Sequence, residues 1–192
     1  VSPLDFVKTY SIPHNIVVRY KDYTSKLNES DWEPHCWYSP KTNEISTRPK
    51  NEPLVTDLLD DELSKDLTHF AICNYLDDLE KLGSTRLHSS LQSFSRARLN
   101  RYPQGSDMAP HIDHIRALFD GVNKGIPVLS VVGVFDRAEK GGEFFIKCPN
   151  MDEKEFLSEN NTVVVFPSCF IYEHRVSTVE EGVRESYVSW AY

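Results

Sequence analysis

The chain has 192 residues, 40% of them hydrophobic and 26% charged, enough to bury one continuous core without help from disulfides. Its formal net charge of −8 disfavours general attraction to nucleic acid or to an anionic membrane, since either needs a positive field. The longest apolar run, around Val163–Phe166, is too short to cross a bilayer, and no leader-like stretch opens the chain. Cys36, Cys73, Cys148 and Cys169 lack the paired spacing of a disulfide framework or zinc knuckle, so a soluble cytoplasmic protein with reduced thiols is expected.

The first 90 residues predict a mostly helical region. Ile16, Tyr20, Tyr23 and Leu27 recur at helical spacing, and "PLVTDLLDDELSKDLTHFAICNYLDDLEKL" carries Leu59, Leu63, Leu67, Phe70 and Asn74 along one stripe. Between them, Glu29–Pro53 holds four prolines and many polar residues, which predicts a loop or a short strand pair. Its length and its Trp32, Trp37 and Tyr38 suit a lid, although each aromatic can equally pack against the helices. From Leu91 the pattern changes to short β-branched and aromatic runs: "SLQSFSRARLNRY", "IPVLSVVGVFD", "GEFFIKC", "NTVVVFP" and "ESYVSWAY". Helices first and strands afterwards predict an α+β, mainly β fold: one domain over residues 1–192, with a jelly-roll core at 91–192 and supporting helices and a lid loop at 1–90. Arg96, Arg98 and Arg101 form a local basic exception; alternation sets Arg96 and Arg98 on one strand face, which could meet an acidic substrate but is read first as a solvated face.

Chemistry concentrates in "YPQGSDMAPHIDH". On an extended segment His111 and Asp113 point the same way and can converge on one ion, though His-x-Asp is common by chance. His174 is the candidate third ligand, because it ends an apolar strand where an imidazole wants an explanation. Positions 174 and 184 lie symmetrically about residue 179, so an antiparallel hairpin centred there would set Arg184 opposite His174, with Ser186, Val188 and Trp190 continuing the same inward face. A buried arginine beside a metal ligand calls for an anion. Two imidazoles and a carboxylate leave open positions on the metal, the donor set of non-haem Fe(II) oxygenases. Arg184 with the Ser186 hydroxyl would then suit the far carboxylate of a 2-oxo diacid. His114 should face away from Asp113, Arg175 should lie on the outer side of its strand, and His14, His35, His69 and His88 carry no partner pattern. Gly141 and Gly142 predict a tight turn rather than a phosphate site, as no helix start follows.

Residues 91–192 resemble the Fe(II)- and 2-oxoglutarate-dependent dioxygenases, and within them the prolyl 4-hydroxylase-like group. The resemblance rests on the ordered series "RYPQGSDMAPHID", "GGEFF" at Gly141–Phe145, "VVVFPS", His174, and Arg184 followed by x-Ser. It implies Fe(II) on His111, Asp113 and His174, 2-oxoglutarate on Arg184 and Ser186, Tyr102 close to cosubstrate or substrate, and ascorbate as a candidate reductant. The implied reaction adds one oxygen atom to a prolyl residue of a peptide or protein and releases succinate and carbon dioxide. Met108 stands where many members carry a cosubstrate-reaching tyrosine, and Arg184 stands where the collagen-modifying members carry lysine. The same iron chemistry on a free amino acid, another small molecule or a nucleobase stays open, as does a non-catalytic metal-binding jelly roll. Proline-containing peptide and dioxygen are the expected partners, with no membrane and with nucleic acid disfavoured.

Overall fold

The computed structural model describes residues 2–39, 44–46, 51–58, 60–83, 87–114 and 126–192. In chain order it contains β1 (Lys8–Ser11), α1 (His14–Thr24), β2 (Glu33–Pro34), β3 (Trp37–Ser39), β4 (Glu44–Ser46), β5 (Leu54–Asp57) and α2 (Asp61–Lys81). The β-rich part follows with β6 (Arg98–Tyr102), β7 (Met108–His111), β8 (Leu129–Asp136), β9 (Lys140–Gly141), β10 (Phe144–Lys147), β11 (Lys154–Phe156) and β12 (Thr162–Pro167). It closes with β13 (Glu173–Val176), β14 (Val179–Glu181) and β15 (Arg184–Ala191).

Two antiparallel sheets face each other. The larger runs β1-β12-β8-β15-β6-β5-β2 and the smaller β11-β10-β13-β7, which gives the expected jelly roll. The central strands β8, β12 and β15 are buried along nearly their whole length, so both faces are apolar. Alternation divides those faces between two cores. Val132, Val134, Val164 and Phe166 point between the sheets toward Phe144, Ile146 and Val176. Val131, Phe135, Val163, Val165 and Tyr187 point the other way, onto Leu63, Leu67, Tyr75 and Tyr20 of the two helices.

The N-terminal region is less helical than expected. Lys8–Ser11 pairs with β12, and Leu54–Asp57 pairs with β6, so both widen the large sheet. The second long helix therefore starts after "PLVTD", at the Asp60 cap, whose carboxylate accepts the Leu63 N–H at 2.8 Å. Its buried stripe keeps Leu63 and Leu67 but continues through Ala71 and Tyr75, leaving Phe70 and Asn74 half-buried at the margin. Each step of four advances the buried stripe by about 40° around the helix, so the buried face is centred away from Phe70 and Asn74. Leu27 lies beyond the end of α1, and Leu59 lies outside the described residues.

The hairpin expected between His174 and Arg184 does not form. β13 belongs to the small sheet and β15 to the large one, while Val179–Glu181 pairs with β9 instead of turning back on itself. The two residues face the same cavity from opposite sheets. Gly141 and Gly142 make the expected turn, with φ of +76° and +71°.

Candidate metal centre and cavity

Three backbone placements bring the donors together. His111 closes β7, Asp113 follows it by two residues, and His174 on β13 is the direct cross-strand partner of His111. One ligand atom from each lies within 4.8 Å of the others. His111 Nε2 is 3.8 Å from Asp113 Oδ1, and His174 Nε2 is 3.6 Å from Asp113 Oδ2. Each imidazole is oriented from behind. His111 Nδ1 donates to the Ala109 carbonyl at 2.8 Å and His174 Nδ1 to the Tyr172 carbonyl at 3.1 Å, which directs both Nε2 lone pairs into the cluster.

Asp113 is 3% exposed and held on one oxygen. Its Oδ2 accepts from Ser130 Oγ at 2.6 Å and from the Trp190 indole at 3.0 Å, and Ser130 Oγ also contacts Ser168 Oγ. Burial works to raise the Asp113 pKa, but His174, His111 and these two donors outweigh it and hold the carboxyl below its usual range. Burial, then His174, push the His111 pKa down to about 4. The cluster therefore presents a carboxylate and a neutral His111 at neutral pH, the protonation that a divalent metal requires.

The other expected residues line the cavity at this cluster. Arg184, 2% exposed, donates from Nη1 to Ser186 Oγ at 2.6 Å, and its Cζ lies 5.1 Å from the centroid of the Tyr102 ring. Tyr102 is its cross-strand neighbour on β6. Arg184 Nη2 has no hydrogen-bond partner among the described residues, and burial lowers the guanidinium pKa. A buried cation with a free donor, opposite a carboxylate and two imidazoles, suits a diacid that spans from metal to arginine. Met108 is also in the wall, and Gly142 packs beside Arg184, where an added Cβ would meet Arg184 Cδ at 3.3 Å.

Four residues of the site escaped the sequence reading. Ser130 and Trp190 hold Asp113, and only the inward position of Trp190 was legible. His35, which carried no partner pattern, is buried in the cavity wall, its Nδ1 3.3 Å from Glu52 Oε2. Arg98 was read with Arg96 as a solvated face. Arg96 precedes β6 and pairs with Asp61, whereas Arg98 turns inward and lines the cavity. Arg175, expected on the outer side of its strand, reaches the cavity wall, but its guanidinium is held in a two-point ion pair with Glu153, its Nε 3.0 Å and its Nη2 2.6 Å from the carboxylate oxygens, and His114 is exposed. Trp32 packs under Arg101 rather than facing the site. Of residues 29–53, His35 and Cys36 reach the cavity, while Trp37 and Tyr38 side chains lie outside the described residues. The four cysteines are free thiols.

A jelly roll that buries a His-Asp-His donor set at its open end defines a non-haem iron oxygenase. The chain belongs to the 2OG-Fe(II) oxygenase superfamily, whose family model matches residues 97–192. It is therefore a 2-oxoglutarate-dependent dioxygenase by class. No curated protein matches it in sequence. Among solved structures, a Pseudomonas putida prolyl-4-hydroxylase superposes with a TM-score of 0.63 at 16% identity, covering 96% of this chain and 91% of that one. A Trichoplax adhaerens prolyl hydroxylase, solved with a hypoxia inducible factor peptide fragment, gives 0.65 at 13% identity, covering 98% and 84%. A viral collagen prolyl hydroxylase from Paramecium Bursaria Chlorella virus-1, solved with 2OG, gives 0.53 at 12% identity, covering 97% and 94%. The fold is that of the prolyl hydroxylases. Among the described residues no helix is long and apolar enough to cross a membrane.

Proposed function

We propose that this chain hydroxylates a prolyl residue in a peptide or protein, using Fe(II), 2-oxoglutarate and dioxygen and releasing succinate and carbon dioxide. The observation that carries the reading is the shared cavity, in which His111, Asp113 and His174 stand across from the buried Arg184 with its unpartnered Nη2. His111 and His174 would hold the iron through Nε2 and Asp113 through its carboxylate. Arg184 and Ser186 would hold the far carboxylate of 2-oxoglutarate, with Tyr102 walling that end. When bound, iron and 2-oxoglutarate supply the oxidation that places one atom of dioxygen in a C–H bond and the other in succinate.

The protein's own part is placement and exclusion of water. Trp190, Val188 and Phe144 close the cavity wall with apolar surface, and His35 covers it from the N-terminal segment. The prolyl substrate is supported by the fold shared with prolyl hydroxylases, one of them solved with a peptide. The single-domain reading is supported by the way β1, β2 and β5 join the sheet that carries Arg184. Ascorbate is proposed as the reductant that keeps the iron ferrous, and the free thiols accord with a cytoplasmic location.

Anaerobic titration of the protein with Fe(II) and 2-oxoglutarate tests the reading. A visible metal-to-ligand charge-transfer band should appear with both present and be lost in Arg184→Ala at matched cosubstrate. Aerobic turnover should form succinate with wild type and none with His174→Ala. Metal binding with no chelate band, or succinate formation by His174→Ala, overturns it.

A further inference from the structure

The cavity carries one more cation than the proposed cofactors neutralise. Its wall includes Arg98, Arg175 and Arg184, while Asp113 supplies its carboxylate, all within a chain of net charge −8. Arg175 is committed to Glu153. Given the proposed function, a dication on the triad, a dianionic cosubstrate, Asp113 and Arg184 sum to zero. Arg98 is left over.

Among the described residues no protein group is bonded to it, although Asp57, its cross-strand partner on β5, and Asp113 lie near enough to act on its charge. Arg98 makes no hydrogen bond and no ion pair among the described residues, and its Nε is buried without a partner. Its guanidinium lies over the Trp190 ring, 5.4 Å from the centroid. Burial depresses its pKa although Tyr102, Asp113 and Asp57 act the other way, so the folded chain bears a desolvation cost that a directly bonded anion would reduce. Cross-strand register separates it from the cosubstrate end. Arg98 is opposite Val188 and Tyr102 is opposite Arg184, four residues or roughly 13 Å apart along β6. Trp190, on which Arg98 rests, is the residue that donates to Asp113. Arg98 thus stands at the metal end of the cavity and Arg184 at the other. Asn100, between them on the same face, adds a buried side-chain amide whose Oδ1 has no partner among the described residues.

We infer that Arg98 forms an anion subsite beside the metal centre and that the substrate presents a carboxylate there, close to the carbon that reacts. The inference rests on the proposed function for the charge count, and it narrows the substrate to acidic ones. The carboxylate has two sources, an acidic side chain adjoining the proline or the terminal carboxylate of the reacting residue.

The test uses two acid and amide pairs as probes: acetyl-Gly-Pro-Asp-Gly-amide against its Asn counterpart, and acetyl-Gly-Pro against acetyl-Gly-Pro-amide. Binding is measured by calorimetry on the full chain with Mn(II) and 2-oxoglutarate, and again with neither. One acid should bind about 10- to 100-fold tighter than its amide, the worth of a charge-assisted hydrogen bond. Which pair shows the preference identifies the source. In Arg98→Met the preference should vanish while the affinity for 2-oxoglutarate stays unchanged, and Arg98→Lys should restore most of it. The melting temperature of Arg98→Met should match or exceed that of wild type. Equal affinity for acid and amide, binding of neither, loss of 2-oxoglutarate binding in Arg98→Met, or a clear fall in its melting temperature each overturns the inference. Failure of wild type to bind 2-oxoglutarate sinks the proposed function instead, and the acid preference of the protein alone still judges Arg98.

Discussion

Trp190 donates its indole N–H to Asp113 Oδ2 at 3.0 Å, tying the last strand of the large sheet to the carboxylate of the candidate metal centre. With Ser130 on the same oxygen, it leaves Oδ1 as the less encumbered donor toward a metal.

Replacing Trp190 by Phe keeps a ring in the wall but removes the hydrogen bond. Partners of this kind are typically worth 10- to 100-fold in metal affinity, so Mn(II) affinity should fall by about 10-fold or more, with the fold retained. Ser130→Ala should act in the same direction, and the double variant should lose less than the sum, because both groups serve one oxygen. Fluorescence or calorimetric titration with Mn(II) reads the effect. Unchanged affinity would reduce Trp190 to a packing residue.

A second expectation concerns pH. His111 has a folded pKa pushed down to about 4, chiefly by burial and then by His174, against an ordinary value of 6.5. The unfolded chain therefore binds a proton that the folded chain refuses between those values. Stability is complete above about pH 6.5 and is lost as pH falls toward 4, by about 3 kcal/mol from this group. The metal-free protein should melt at progressively lower temperature over that window, and His111→Gln should flatten the dependence. A melting curve independent of pH between 7 and 4.5 would contradict the burial of a neutral His111.

The strands with both faces buried were the readable part of the fold. "VVVFP" and "VLSVVGVF" announce themselves because their valine, leucine and phenylalanine side chains face one core or the other. Lys8–Ser11 and Leu54–Asp57 were not readable, since four polar or mixed residues become a strand only when an established sheet offers them an edge. The same limit applied at the site. His111, Asp113, His174, Arg184 and Ser186 were found through spacing and family resemblance, yet the hairpin geometry assigned to two of them was wrong. No local signal shows that β13 leaves for the small sheet while β15 joins the large one. Arg98 and His35 depend wholly on such long-range pairing. Alternation put Arg98 on a face, and only the position of β6 between β15 and β5 makes that face an interior one.

Tyr187 crosses β8 at Gly133, its direct cross-strand partner, where an added Cβ would fall 2.0 Å from the ring. The ring continues onto Phe135, which stacks on Tyr20 of α1, so this glycine sets how closely helix and sheet approach. Gly133→Ala should cost about 1–3 kcal/mol or more as the ring is displaced, read by chemical denaturation. In a Tyr187→Ala background the same Gly133→Ala change should cost less than in wild type, and an equal cost in both backgrounds would refute the steric account.

Gly142 couples the β9 turn to Arg184. Its φ is +71°, and an added Cβ would lie 3.0 Å from Val179 Cγ2 and 3.3 Å from Arg184 Cδ. Gly142→Ala therefore carries a backbone cost of about 1–2 kcal/mol and also pushes on the arginine. Gly83, at φ +85° with nothing within 4 Å of an added Cβ, isolates the backbone part. Gly83→Ala should lower stability by a similar amount and leave ligand binding alone. Gly142→Ala should in addition weaken 2-oxoglutarate several-fold at unchanged Mn(II) affinity, because the metal ligands sit on β7, just past it and on β13, while the displaced guanidinium sits on β15. Equal 2-oxoglutarate affinity in both variants would show that Arg184 can shift without consequence, and the carboxylate would then have to be held elsewhere in the cavity.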